Sequence, residues 1–83
     1  MISIVVPMYN SERTITTLLD SIYSAMYLPF EVICINDGST DETERTVIEH
    51  QKRHQEVILL NQKNMGLSTA RNRGISKALG EWI

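Results

Sequence analysis

The stretch Glu31-Val32-Ile33-Cys34-Ile35-Asn36-Asp37-Gly38-Ser39-Thr40-Asp41-Glu42 decides the fold. Val32 to Ile35 is an unbroken apolar run without polar alternation, the pattern of a strand buried on both faces of a parallel sheet. Asp37 to Asp41 then supplies turn chemistry. Ser39, followed three positions later by Glu42, reads as a capping box for a helix running to about His54. The apolar face of that helix is thin, with Val47 and Ile48 its only strongly apolar residues. Strand, turn and helix in this order, around a strand needing cover on both sides, point to an α/β layer architecture.

The flanking sequence repeats the alternation. Towards the N-terminus, Ile2-Ser3-Ile4-Val5-Val6 is a second buried strand, which Pro7 is expected to end. Asn10 or Ser11 is placed to cap a helix from Glu12, with Ile15, Leu18, Leu19, Ile22 and Met26 on one stripe, and Tyr27-Leu28-Pro29-Phe30 breaks it. Towards the C-terminus, Val57-Ile58-Leu59-Leu60 is a third strand and Asn61 to Gly66 a polar loop. A third helix follows to Leu79, with Leu67, Ala70, Gly74, Ile75, Ala78 and Leu79 as its buried stripe and Gly80 as its C-terminal glycine. Glu81-Trp82-Ile83 begins a fourth strand. Alternating strands and helices predict a Rossmann-like parallel sheet with right-handed crossovers. There is no internal repeat and no low-complexity linker, and a sheet that stops three residues into a strand reads as part of a longer chain.

Composition narrows the function. The 83 residues are 42% hydrophobic and 22% charged, far from the profile of a disordered chain, and suffice for one domain at most. The net charge is -2, so no global positive field draws nucleic acid. The charge is uneven: residues 1–49 hold eight acids and two bases, residues 50–83 two acids and six bases. Cys34, the only cysteine, leaves no intrachain disulfide; it reads as a buried thiol in a reducing compartment. The run from Ile2 to Met8 is neither a signal peptide nor a membrane span, and a cytoplasmic location is the expectation.

Ligands of open α/β sheets sit beyond the carboxyl ends of the strands. Those ends are Pro7 to Asn10, Asn36 to Asp41 and Asn61 to Gly66, all polar, small or glycine-bearing. Neither G-x-G-x-x-G after the first strand nor G-x-x-x-x-G-K-[ST] anywhere is present, which removes the common dinucleotide and P-loop solutions. His50 and His54 stand four apart on a helix, but in a wholly polar stretch without a third ligand, so a solvated helix end is expected rather than a metal site.

Three blocks, Val5-Val6-Pro7-Met8-Tyr9-Asn10, Val32 to Asp41 and Asn64-Met65-Gly66-Leu67-Ser68-Thr69-Ala70-Arg71-Asn72-Arg73-Gly74-Ile75, resemble the first three blocks of family 2 glycosyltransferases of GT-A fold. Gly80-Glu81-Trp82-Ile83 is similar to the start of that family's fourth strand. The resemblance spans essentially the whole chain and implies the partial nucleotide-sugar-binding domain, residues 1–83, with strand order 3-2-1-4. It implies donor contacts from Pro7, Tyr9, Glu12, Asp37, Gly38, Asn64, Gly66 and Arg71, and a UDP-sugar as the donor.

Each residue also has a plain alternative. An ionised Asp37 only accepts hydrogen bonds, which suits the N3–H of uracil and not the N3 of cytosine; it also suits a turn or a helix cap. Pro7 and Tyr9 lie where the family wraps base and ribose, although Pro7 is equally a strand terminator. Glu12 reads as a ribose acceptor or a first-turn helix acid, and Asp41 as a first-turn acid. Arg71 shares the stripe of Leu67 and Ile75 and is expected to face the sheet, near a diphosphate or paired with Asp37 or Asp41, while Arg73 is expected to face solvent.

In the family a divalent cation, Mg or Mn, is held on the diphosphate by carboxylates at the end of the fourth strand, and the general base comes from the following half. By that resemblance the intact protein is a glycosyltransferase acting on a glycan or lipid-linked acceptor in polysaccharide biosynthesis, the family's usual setting, at the inner face of the membrane. The 83 residues alone are expected to hold no metal and to be inactive. The competing reading is a non-catalytic α/β module that binds nucleotide or protein. Self-association through the exposed edge of the first strand, near Trp82, is also expected.

Overall fold

A computed structural model describes residues 1–82. In chain order it runs β1 (Ile2–Met8), α1 (Ile15–Ala25), β2 (Phe30–Asp37), α2 (Thr43–Gln51), β3 (Val57–Gln62), α3 (Leu67–Lys77) and β4 (Glu81–Trp82). The strands form one parallel sheet in the order β3-β2-β1-β4, the order the resemblance implied. β4 pairs only with Ile2 and Ser3. Ile83, the expected continuation of β4, lies outside the described residues, as does the expectation about the Trp82 side chain.

Strand alternation divides the core between two faces. Val6, Met8, Val32, Cys34 and Val57 pack with Ile15 and Leu19 of α1 and Val47 of α2. On the other face Ile33 and Ile35 pack with Ala70 of α3, joined by Val5, Ile58 and Leu60. The register pairs Val5 with Ile33, Pro7 with Ile35 and Asp37 with Gln62. A one-residue slip would exchange the two cores, so the register also fixes which strand-end side chains lie on the α3 face.

α3 seats closely on that face because its contact residues are small. A Cβ on Gly74 would stand 2.5 Å from Val5 Cγ1 and 2.6 Å from Ile35 Cδ1. At the end of the sheet opposite the carboxyl-end loops, the buried Ser3 hydroxyl donates to Glu31 Oε2, which also accepts from the Leu79 N–H at 2.7 Å; Gly80 N–H donates to Ser3 Oγ at 2.9 Å. Two buried polar residues thereby tie the approach to β4 onto β1 and β2, each with a partner.

Several local expectations are corrected. Pro7 does not end β1, which continues to Met8 in register with β2; beyond Ser3 the other side of β1 carries no described strand, a place where proline is tolerated. α1 starts at Ile15 rather than Glu12, because residues 11–14 form a turn closed by Thr14 N–H and Ile15 N–H to Ser11 O. Leu18 and Ile48 are exposed, so the stripes of α1 and α2 are narrower than the periodicity suggests. The expected Ser39 capping box does not form: α2 starts at Thr43 and ends at Gln51, and Asp41 Oδ1 accepts from Thr43 N–H at 3.0 Å instead. Leu67 and Leu79 are 52% and 82% exposed, since α3 seats through Ala70 and Gly74 and both leucines lie at or past its ends. Gly80 is not a left-handed cap; its Cβ would collide with the Met1 carbonyl, which is the reason for glycine there.

Candidate functional site

The loops after β1, β2 and β3 are stitched together at the carboxyl ends of the strands. Asn10 adopts φ 49°, a left-handed conformation that asparagine tolerates. Its backbone N–H donates to Ser39 Oγ at 2.9 Å, and its Oδ1 accepts from Thr40 N–H at 2.8 Å. Ser11 N–H donates to Thr43 Oγ1 at 2.7 Å and Glu12 N–H to Asp41 Oδ2 at 3.2 Å. Burial raises the Asp41 carboxyl, but the hydroxyl and N–H of Thr43 and the N–H of Glu12 outweigh it and leave the group below its ordinary range. Asp41 is thus a loop organiser, a role its reading as a first-turn acid did not contain.

The second and third loops meet at Gly38 and Asp37. Gly38 has φ 72°, and a Cβ there would stand 2.8 Å from the Asn64 backbone nitrogen. Only glycine serves both the left-handed turn and the close approach. Asp37, 2% exposed, turns its carboxylate under the third loop. Oδ1 accepts from Met65 N–H and from Gln62 Nε2, both at 2.8 Å, and Oδ2 accepts from Gly66 N–H at 3.0 Å. The Met65 N–H, the Gln62 amide and the Gly66 N–H hold the carboxyl below its ordinary range against the opposing effect of burial. Two of these donors fall on Oδ1 and one on Oδ2, which leaves Oδ2 with a further acceptor position.

The groups left facing outwards are different. Tyr9 is 43% exposed, and Glu12, Asn64, Gly66 and Arg71 are exposed, with Pro7 half-buried. Gly66, at φ 96°, leads into α3, whose N-terminus has no side-chain cap. Unclaimed N–H groups at a helix start and a nearby exposed arginine suit an anion. The two arginines are exchanged relative to expectation: Arg71 is exposed, and Arg73 is half-buried with its guanidinium donating to Asn61 O at 2.7 Å. The phase of α3 is set by Ala70 and Gly74, and Arg71 lies about 100° beyond Ala70 around the helix.

His50 is also corrected. It is 2% exposed rather than solvated, with Thr16 Oγ1 at 3.2 Å from Nε2 and Tyr23 OH at 3.0 Å from Nδ1. His54 stacks on Tyr23 with ring centroids 3.7 Å apart. The pair joins α1 to the end of α2 and belongs to the packing between helices. A groove of about 390 Å³ beside it, bordered by Thr16, Arg45, Glu49 and Arg53, includes none of the residues the resemblance singles out. Among the described residues no three His, Cys, Asp or Glu side chains converge, so they do not by themselves fit a metal ion.

The profile of glycosyl transferase family 2 matches residues 3–83. This chain belongs to that family. It is 37% identical over 82 residues to the Escherichia coli glycosyltransferase YibD, covering 99% of this chain and 24% of that protein. Among solved structures, S. aureus TarS 1-349 in complex with UDP-GlcNAc superposes with TM-score 0.86 at 32% identity, over 99% of this chain and 25% of that one. The mannosyltransferase PcManGT from Pyrobaculum calidifontis, in complex with GDP-Man and Mn2+, gives TM-score 0.87 at 28% identity, over 95% and 24%. The chain therefore spans about a quarter of the length of these relatives. Its fold is the Rossmann-like α/β sheet of those GT-A neighbours, and its family is one of glycosyltransferases.

Sequence reasoning placed Asn10, Ser39 and Gln62 in the strand-end loops without giving any of them a contact there, and did not single out Thr43. For Asn10 the signal was available in an asparagine directly after a strand and a tyrosine. For Gln62 there was none, since its importance lies in pairing with a residue 25 positions away.

Proposed function

We propose that this chain is the donor-nucleotide part of a glycosyltransferase that moves a sugar from a nucleotide diphosphate, a UDP-sugar, to a glycan or lipid-linked acceptor. The observation that carries the reading is its 32% identity, across 99% of its length, to a structure holding UDP-GlcNAc. Under it, Pro7 and Tyr9 border base and ribose, and Glu12 accepts from a ribose hydroxyl. Asp37, Gly38, Asn64 and Gly66 shape the floor of the crevice, while Arg71 and the N-terminus of α3 oppose the diphosphate.

These residues bind and orient the donor and perform no bond-making step. A divalent cation, when bound, would neutralise charge on the leaving diphosphate; the described residues supply no set of ligands for it. We accordingly expect nucleotide binding without turnover from the 83 residues alone. No helix among the described residues is long and apolar enough to cross a membrane. We place the domain on the cytoplasmic side, where a lone buried thiol such as Cys34 persists.

An NMR titration with UDP tests the reading. The expected result is a dissociation constant on the order of millimolar, about 4 kcal/mol, with shifts concentrated at Tyr9, Asn64, Gly66 and Arg71. Shifts confined to the groove between α1 and α2, or none at all, would sink it.

A further inference from the structure

The loop after β1 is held by its backbone. The consecutive N–H groups of Asn10, Ser11 and Glu12 donate to three side chains that follow β2, namely Ser39 Oγ, Thr43 Oγ1 and Asp41 Oδ2. Two of these bonds depend on one carboxylate. Asp41 Oδ2 receives the Glu12 N–H directly, at 3.2 Å. Its Oδ1 receives the Thr43 hydroxyl and, at 3.0 Å, the Thr43 N–H.

The hydroxyl carries the effect of Asp41 to the neighbouring amide. Thr43 is fully buried, and its hydroxyl has one proton to give and lone pairs to offer. An ionised carboxylate only accepts, so that proton points at Asp41. The lone pairs are then left for the Ser11 N–H, 2.7 Å away. Asparagine could not do the same work, because it has one accepting oxygen and an NH2 that donates. Whichever way its amide turned, the N–H of Glu12 or of Thr43 would face a donor.

Tyr9 directly precedes these amides and is 43% exposed; its carbonyl accepts from Ser11 Oγ at 3.3 Å. Asn10, at φ 49°, adopts its left-handed conformation inside the clamp, whose bonds offset the penalty. Glu12 leaves the clamp with its side chain exposed.

We propose that Asp41 is a positioning residue for the donor: through the Glu12 N–H and the Thr43 hydroxyl it fixes the path of residues 10–12, and so presents Tyr9 and Glu12 to the nucleoside half. The assignment rests on the nucleotide reading above and adds to it what holds the first loop ready before the ligand arrives. Preorganisation raises affinity because the ordering cost is removed from the binding step. The gain falls on the nucleoside half alone. Under that reading the diphosphate meets Arg71 and the N-terminus of α3, and Asp41 bonds to neither.

NMR titrations with UDP and with inorganic pyrophosphate test the assignment on the native chain, Asp41→Asn, Thr43→Val and Thr43→Ser. Thr43→Val is close in size and keeps the backbone N–H that Asp41 accepts at the start of α2, so it removes the hydroxyl link alone. Asp41→Asn and Thr43→Val should each weaken UDP about fivefold and leave pyrophosphate within about twofold. Amide exchange should quicken at Glu12 in the first variant and at Ser11 in the second. Thr43→Ser, which restores the hydroxyl, should bind UDP as the native chain does. Equal weakening of UDP and pyrophosphate would mean a merely structural role and overturn the assignment. Undiminished UDP affinity in folded Asp41→Asn and Thr43→Val also overturns it and leaves nucleotide binding standing. Unprotected Ser11 and Glu12 amides in the native chain overturn the clamp without any variant having to fold. Failure of the native chain to bind UDP overturns the nucleotide reading, and the Asp41 assignment with it.

Discussion

Replacing Gly74 by alanine sets two effects of opposite sign against each other. In an unobstructed helix interior the change gains about 1 kcal/mol, because alanine has the higher helix propensity and loses less backbone entropy. Here the new Cβ would meet Val5 Cγ1 at 2.5 Å and Ile35 Cδ1 at 2.6 Å. The Ile35 atom is the end of a flexible side chain and can swing aside. Val5 is β-branched and stiff at χ1, and it sits on a strand held in register by β2. Relief therefore requires α3 to lift from the sheet, and such overpacking costs about 1 to 3 kcal/mol. The net expectation is a loss of about 1 kcal/mol, equivalent to roughly 4 to 8 °C in a domain of this size. Thermal and urea denaturation of Gly74→Ala measure it, with Ser76→Ala on the exposed face of the same helix as control. The control should gain a few tenths of a kcal/mol. A Gly74→Ala protein that melts above the native chain would refute the close seating of α3, and with it the argument that small residues, rather than Leu67 and Leu79, set the phase of that helix.

Two further outcomes follow from the observed contacts. Arg73→Ala should lower stability by about 0.5 to 1 kcal/mol, because it removes a charged donor from the Asn61 carbonyl, whereas Arg71→Ala should stay within about 0.5 kcal/mol; urea midpoints that rank the two the other way would overturn the helix phase. His50 is held below its ordinary pKa by burial, with Arg53 and His54 adding to the effect and Asp20 opposing it. Its contribution to stability is therefore complete above about pH 6.5 and is lost as pH falls below that value towards the folded-state pKa, since the unfolded chain then binds the proton more readily. Denaturation at pH 7.5 and 5.5 should show this decline, and His50→Phe should flatten it; an equal slope in the variant would assign the decline to other groups.

The order of strands and helices was legible in the sequence because its causes are local. Val32 to Ile35 without polar alternation, the turn residues from Asp37 to Asp41 and the helical spacing of Ile15, Leu19 and Ile22 act over one element at a time. The three blocks around Pro7, Asp37 and Gly66 likewise carried the family, since each is a short run at one strand end.

What only the tertiary structure decided concerns partners far apart in the chain. Periodicity names the face of α3 that turns inwards, but the depth of its seat depends on Val5 and Ile35 meeting Gly74. Glu31 and His50 look like residues for solvent until Ser3 and Leu79 are brought to the one and Thr16 and Tyr23 to the other. Asp37 stood out from sequence as a strand-end carboxylate, but only the folded chain brings Met65, Gly66 and Gln62 to donate to it from the end of β3 and the next loop. The physical reason is common to all of them. A buried polar group must be hydrogen-bonded, and its chemistry says that a partner is required; only the folded backbone determines which distant donor or acceptor arrives to provide it.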